Sequence, residues 1–179
     1  MDIKEYREHV KTLASLRTGT PPIYNGSPEH AAIVVEQMFA SAQSTVKIVT
    51  GDLNARVYGT RGVVQRAREF LGHSDHSLEI LVEHQTFSDS HPLLEELAGQ
   101  RNFVISLIPP SVSEILEYHF MTADNDCFRF EAEKNSHAAV AAFGDKETAA
   151  HLNGIFETLN AASRTIDIPR SRAELADLS

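Results

Sequence analysis

The chain has 179 residues, 42% of them hydrophobic and 23% charged, which fits one soluble domain with short decorations at its ends. Its single cysteine, Cys127, excludes an intramolecular disulfide and a C-x-x-C metal knuckle, and fits a reducing, cytoplasmic setting. The net charge of −9 argues against broad nucleic-acid binding, which needs clustered Lys and Arg to displace counterions.

The apolar step of Ile3, Tyr6, Val10 and Leu13 predicts a helix over 3–16. This segment is charged throughout and lacks the apolar core of a signal peptide. No run along the chain reaches the roughly 18 apolar residues that span a bilayer. "RTGTPPIYNGSP" (17–28) is rich in Gly and Pro and reads as a linker. The first helix is then an arm, packed on the body or on a partner.

Ser27 and Pro28 suit the cap and first position of a second helix, whose apolar face is Ala31, Val34, Val35, Met38 and Ala42. The β-branched run "TVKIVTGDL" (45–53) predicts a central strand. A helix is expected over 61–71, where Arg61, Arg66 and Arg68 beside Glu69 read as a mixed, solvated face. "SLEILVE" (77–83) is a second strand, "PLLEELAGQ" (92–100) a short helix and "NFVISLI" (102–108) a third strand.

In "SVSEILEYHFMTA" (111–123) a helical turn gives way to alternation. Residues 117–131 predict a hairpin about the turn "ADND", where Asp and Asn tolerate unusual dihedrals. Strict alternation in "CFRFE" sets Phe128 and Phe130 on one face and Cys127, Arg129 and Glu131 on the other. Cys127 reads as packing, not as a reactive thiol. "HAAVAAFG" (137–144) is a further strand, and a helix over 145–163 is capped by Asp145. Helices alternating with the first three strands imply crossovers and parallel pairing, and the hairpin adds antiparallel strands. The fold class is therefore α/β, with a mixed sheet flanked by helices. Three parts are expected: an arm and linker over 1–26, a domain over 27–163 and a tail over 164–179, the tail carrying one short helix.

The hairpin carries the chemistry. "HFMTADND" (119–126) has the spacing His-x-Met-x4-Asp. It resembles the His-x-Lys-x4-Asp signature of the phospholipase D superfamily, with Met121 in the lysine position. The helix before "STVKIVTGDL" resembles that superfamily's opening elements, and "AVAAFGDKETAAHLNGIFETL" its closing strand and helix. The resemblance covers about 27–163 and implies a single phospholipase D-like domain. It implies His119 Nε2 as the nucleophile that attacks phosphorus and Asp126 as support for the motif's geometry. It also implies a homodimer, since one chain carries one motif and the reaction takes a second histidine to protonate the leaving group. No metal or other cofactor is implied.

The motif is broken twice. Met121 cannot offset a phosphate's charge, and "AEKNS" (132–136) stands where the family has Gly-Ser. Loss of one transition-state donor costs roughly 10²–10³ in rate, so a degenerate, noncatalytic member is the leading reading. Such a protein is a dimeric binding or scaffold module for a partner protein, contacted through the terminal arms, or for a phosphate-containing ligand. Arg129, Lys134 and Glu131 are the candidate ligand-binding residues, because an arginine fork or a lysine restores the missing charge. One alternative is a metal-independent phosphodiesterase or nuclease using His119 and Asp126 across a homodimer. Another is a phosphate- or nucleotide-sensing component of a multi-protein system. The nine histidines show no closed ligand set: His73 and His76 flank "SD" in a polar loop, and His84 and His91 frame another.

Overall fold

A helix is held at the start of the chain by a reciprocal cap. In a computed structural model, α1 spans Ile3–Leu16, the Asp2 side chain accepts from the amides of Lys4 and Glu5, and Glu5 returns the bond to the Asp2 amide. The structure describes residues 1–86, 90–134 and 136–168. The elements after α1 are β1 (Ile23–Asn25), α2 (Pro28–Ser41), β2 (Thr45–Thr50), α3 (Ala55–Tyr58), α4 (Arg61–Leu71), β3 (Ser77–Val82), α5 (Pro92–Leu97) and β4 (Phe103–Leu107). They are followed by α6 (Pro110–Ser113), β5 (His119–Ala123), β6 (Cys127–Glu131), β7 (Ala139–Phe143), α7 (Lys146–Ala162) and β8 (Arg164–Thr165).

Among the described residues the strands form one eight-stranded sheet in the order β1-β7-β6-β5-β2-β3-β4-β8. β2, β3 and β4 are parallel, as their helical crossovers require, and every other pairing is antiparallel. The protein is thus a mixed α/β domain. Two apolar clusters cover the two faces of the sheet. The larger unites α1, α2, α4 and α5 with residues such as Ile48, Ile80 and Met121; the smaller sets Leu152, Phe156 and Leu159 of α7 on Val49, Leu81, Phe120 and Phe128. Central strands buried on both sides read as continuous apolar runs, hence Ile48-Val49 and Ile80-Leu81-Val82.

Three short elements depart from the sequence reading. Part of the expected linker pairs with β7 as β1, and a single turn, α3, follows β2. The expected tail begins with β8, which pairs with β4. A short helix was also expected in the tail, and residues 169–179 of it lie outside the described residues. The expected alternation in the hairpin is met, but both of its faces are covered, so Cys127 and Arg129 are as buried as Phe128.

The arm is docked on the body. Tyr6, Val10, Leu13 and Ala14 bury one stripe of α1, chiefly against α2. Arg17, past its end, donates through Nε to Asp126 at 2.9 Å and through Nη2 to both Asp126 and Asp124. Asp124, at φ 54 in the hairpin turn, also accepts from the amides of Gln43, Ser44 and Thr45 at 2.8–3.0 Å. Burial of the Asp124 carboxyl works to raise its pKa, but Arg17 and the three amides outweigh it and hold the group below its ordinary value. Among the described residues no helix is long and apolar enough to cross a membrane.

Candidate functional site

The parallel strands end in polar groups. Thr50 closes β2, and Glu83 follows β3 with its amide bonded back to Thr50 and Gly51. β5 runs antiparallel beside β2 with Phe120 opposite Val49, which brings His119 to the same end. In the hairpin register His119 lies opposite Glu131, and Met121 opposite Arg129. Carboxyl ends of parallel strands are where open α/β sheets bind ligands, and a cavity of about 200 Å³ lies there. Its lining includes His119, Arg129, Glu131 and Lys134, together with Glu83, Asp52, His84, His137 and Tyr58.

Glu83 organises this set. One carboxylate oxygen lies 2.5 Å from His119 Nε2; the other accepts from Lys134 Nζ at 2.7 Å. An ionised carboxylate only accepts, so Nε2 carries the proton and donates. Burial works to raise the Glu83 pKa, but the bonds and charges of His119 and Lys134 prevail and hold it below its ordinary value of 4.5. Lys134 also donates to the Ser113 carbonyl at 2.9 Å, which ties the segment after β6 to α6. Gly51 leaves room for the imidazole: a Cβ there would meet His119 Cε1 at 3.3 Å.

Arg129 lies behind this trio. Its guanidinium donates to Asn25 Oδ1 at 3.2 Å and to Glu131 at 3.1 Å, and it is 2% exposed. Tyr58 is buried against the same cavity, and desolvation pushes its phenol up to about 12.

The structure therefore gathers four of the five residues singled out in the sequence, His119, Arg129, Glu131 and Lys134. Asp126 is at the other end of the hairpin, roughly 15 Å away along the strand, where it holds Arg17. Met121, in the motif's lysine position, is fully buried in the larger core cluster. Cys127 is buried as well, and desolvation pushes its thiol up to about 12. Glu83, the centre of the cluster, was not singled out. Nothing local marks it, because the run "SLEILVE" carries a second acid, Glu79. His91, which the sequence placed in a polar loop, caps α5 and bonds to the Leu53 carbonyl.

A family model described as a domain of unknown function, DUF7931, matches residues 27–171. No curated protein matches the chain. Among solved structures the chain is similar to Nuc, a phospholipase D family member from Salmonella typhimurium, with a TM-score of 0.61, 12% identity, and 82% of this chain and 98% of that one covered. It is similar to NucT from Helicobacter pylori, with a TM-score of 0.57, 12% identity, and 82% and 99% covered. It is also similar to TrmBL2, an archaeal chromatin protein described as showing a novel mode of DNA binding, with a TM-score of 0.60, 10% identity, and 91% and 62% covered. The fold is accordingly phospholipase D-like.

Proposed function

The chain belongs to the DUF7931 family, and from its phospholipase D-like fold and the chemistry of its cavity we propose that it is a noncatalytic member that binds a phosphate-containing ligand. The observation that carries this reading is the bond from His119 Nε2 to Glu83. The nitrogen that would attack phosphorus carries a proton and points at a carboxylate. The residue two positions on, Met121, is buried among apolar side chains and presents no charge to the cavity. What the cavity keeps is the guanidinium of Arg129 and the ammonium of Lys134. A phosphate monoester or diester would take the place that Glu83 and Glu131 now hold on them. In this reading His119 is a positioning group and Asp126 anchors the arm.

One observation favours a phosphodiesterase or nuclease as the second reading. Lys134 Nζ contacts the same carboxylate as His119, so a lysine does stand beside the histidine, delivered from a different part of the chain. If the Nε2 proton passed to Glu83 as a ligand phosphate displaced that side chain, the bare nitrogen and Lys134 would both bear on phosphorus.

One paired measurement separates the readings. The purified chain is titrated with inorganic phosphate and nucleoside monophosphates by thermal shift, and assayed with bis-p-nitrophenyl phosphate in EDTA. The binding reading expects a saturable stabilisation that Lys134→Ala removes, with no turnover. Turnover abolished by His119→Ala would establish the enzyme instead. No shift from any phosphate compound would sink the binding reading.

A further inference from the structure

Far from the cavity, at the opposite end of β3, the loop "HSDH" joins α4 to the sheet. We propose that this loop is a binding site for a first-row divalent metal ion of the zinc type, held by His73, Asp75 and His76. One ligand atom of each residue lies within 4.8 Å of those of the other two. In a tetrahedral zinc site with bonds of about 2.0–2.1 Å, neighbouring ligand atoms stand about 3.3 Å apart. His73 and Asp75 are exposed and His76 half-buried, so side-chain rotation alone can close that gap.

The loop is built to hold these groups. His76 Nδ1 lies 2.9 Å from the Phe70 carbonyl. A carbonyl only accepts, so Nδ1 carries the proton and Nε2 keeps a free lone pair. This is the arrangement that metal-ligating histidines use, with the second ring nitrogen donating to a carbonyl and fixing the tautomer. The His76 ring also stacks on the buried Phe70 ring, with centroids 4.6 Å apart. Asn102, which precedes β4, donates from Nδ2 to the carbonyls of Leu71, His73 and His76 at 2.9–3.1 Å. One half-buried amide thus pins the loop backbone at both ligating histidines. Arg66, the cation beside the loop, is neutralised by Glu69 at 2.7 Å.

Two imidazoles and one carboxylate select zinc, nickel or copper over calcium or magnesium, which prefer oxygen ligands throughout. Three protein ligands leave the remaining position to water. The strand's length, roughly 20 Å, separates this site from the cavity; the sequence sets His73 and His76 three apart without a closed ligand set, and Asn102 and Phe70 supply the support that the spacing does not show.

Calorimetric titration of the 179-residue chain, with any purification tag removed, tests the proposal with zinc chloride. One saturable site is expected, weakened tenfold or more by Asp75→Asn and by His76→Ala, while calcium chloride gives no heat. Asn102→Ala, which keeps all three ligands, should weaken zinc about tenfold through loss of the outer hydrogen bonds. Asp75 is exposed, so Asp75→Asn leaves the fold intact and remains decisive even where His76→Ala unfolds the loop. No saturable zinc binding, or binding unchanged in Asp75→Asn and His76→Ala, overturns the proposal.

Discussion

At the scale of single residues, Glu83 decides the state of the cavity. It is buried and serves two cationic or proton-donating partners at once. Its folded-state pKa is depressed, so the stability it contributes is present above the unfolded value of 4.5 and is lost as pH falls through the folded value. Glu83→Gln puts an amide N–H against one of those donors. Unfolding in urea at pH 7 should show a loss of about 3 kcal/mol, the cost of breaking a buried pair. The gap between variant and parent should close as pH falls below 4.5. A gap independent of pH would mean that Glu83 is not ionised in the folded protein. The motif residues were legible here because His119, Met121 and Asp126 lie within one hairpin. Glu83 was not, because it meets His119 from 36 positions away and nothing local marks it.

At the scale of elements, the hairpin β5–β6 serves a different purpose at each end. Its open end carries His119, Arg129 and Glu131 to the cavity. Its turn carries Asp124 and Asp126 to Arg17. The turn itself was readable from "ADND", but its partner was not, since Arg17 is 109 positions from Asp126. The long helices were readable from their periodicity and the central strands from their β-branched, apolar runs. β1 and β8 were not, because three and two residues are too few to show alternation, and β1 sits in a Gly- and Pro-rich stretch. The two arm contacts also differ in weight. Arg17 is 14% exposed in its ion pairs, whereas Arg7 is 42% exposed in its pair with Glu36. Arg17→Ala should therefore cost about 2 kcal/mol in urea unfolding, and Arg7→Ala less than about 1 kcal/mol, as exposed pairs do. Equal costs would show that the clamp adds nothing beyond surface charge.

At the scale of the whole molecule, we infer a pair of chains from the single motif and the placing of exposed apolar groups. Tyr24 and Ile115 are exposed at 72% and 77%. Tyr24 adjoins Asn25, which holds Arg129, and Ile115 lies two residues from Ser113, which holds Lys134. A second copy seated over the cavity end would cover both. Light scattering is expected to give twice the 19.8 kDa of one chain, and Ile115→Asp to return it to one. A parent mass of 19.8 kDa rules the pair out.

The two shortest strands have a bearing on how any pair would form. β1 and β8 occupy the outer positions of the sheet, with three and two residues. Very short border strands, one entered through Pro21-Pro22 and the other carrying Arg164, give an incoming strand little backbone to copy. The five- and six-residue strands inside are shielded from templated growth. Stacking of chains through continuous sheets, and the fibrillar aggregation it leads to, is disfavoured by the borders themselves. Association is left to the strand ends and helices, where side chains rather than backbone choose the partner.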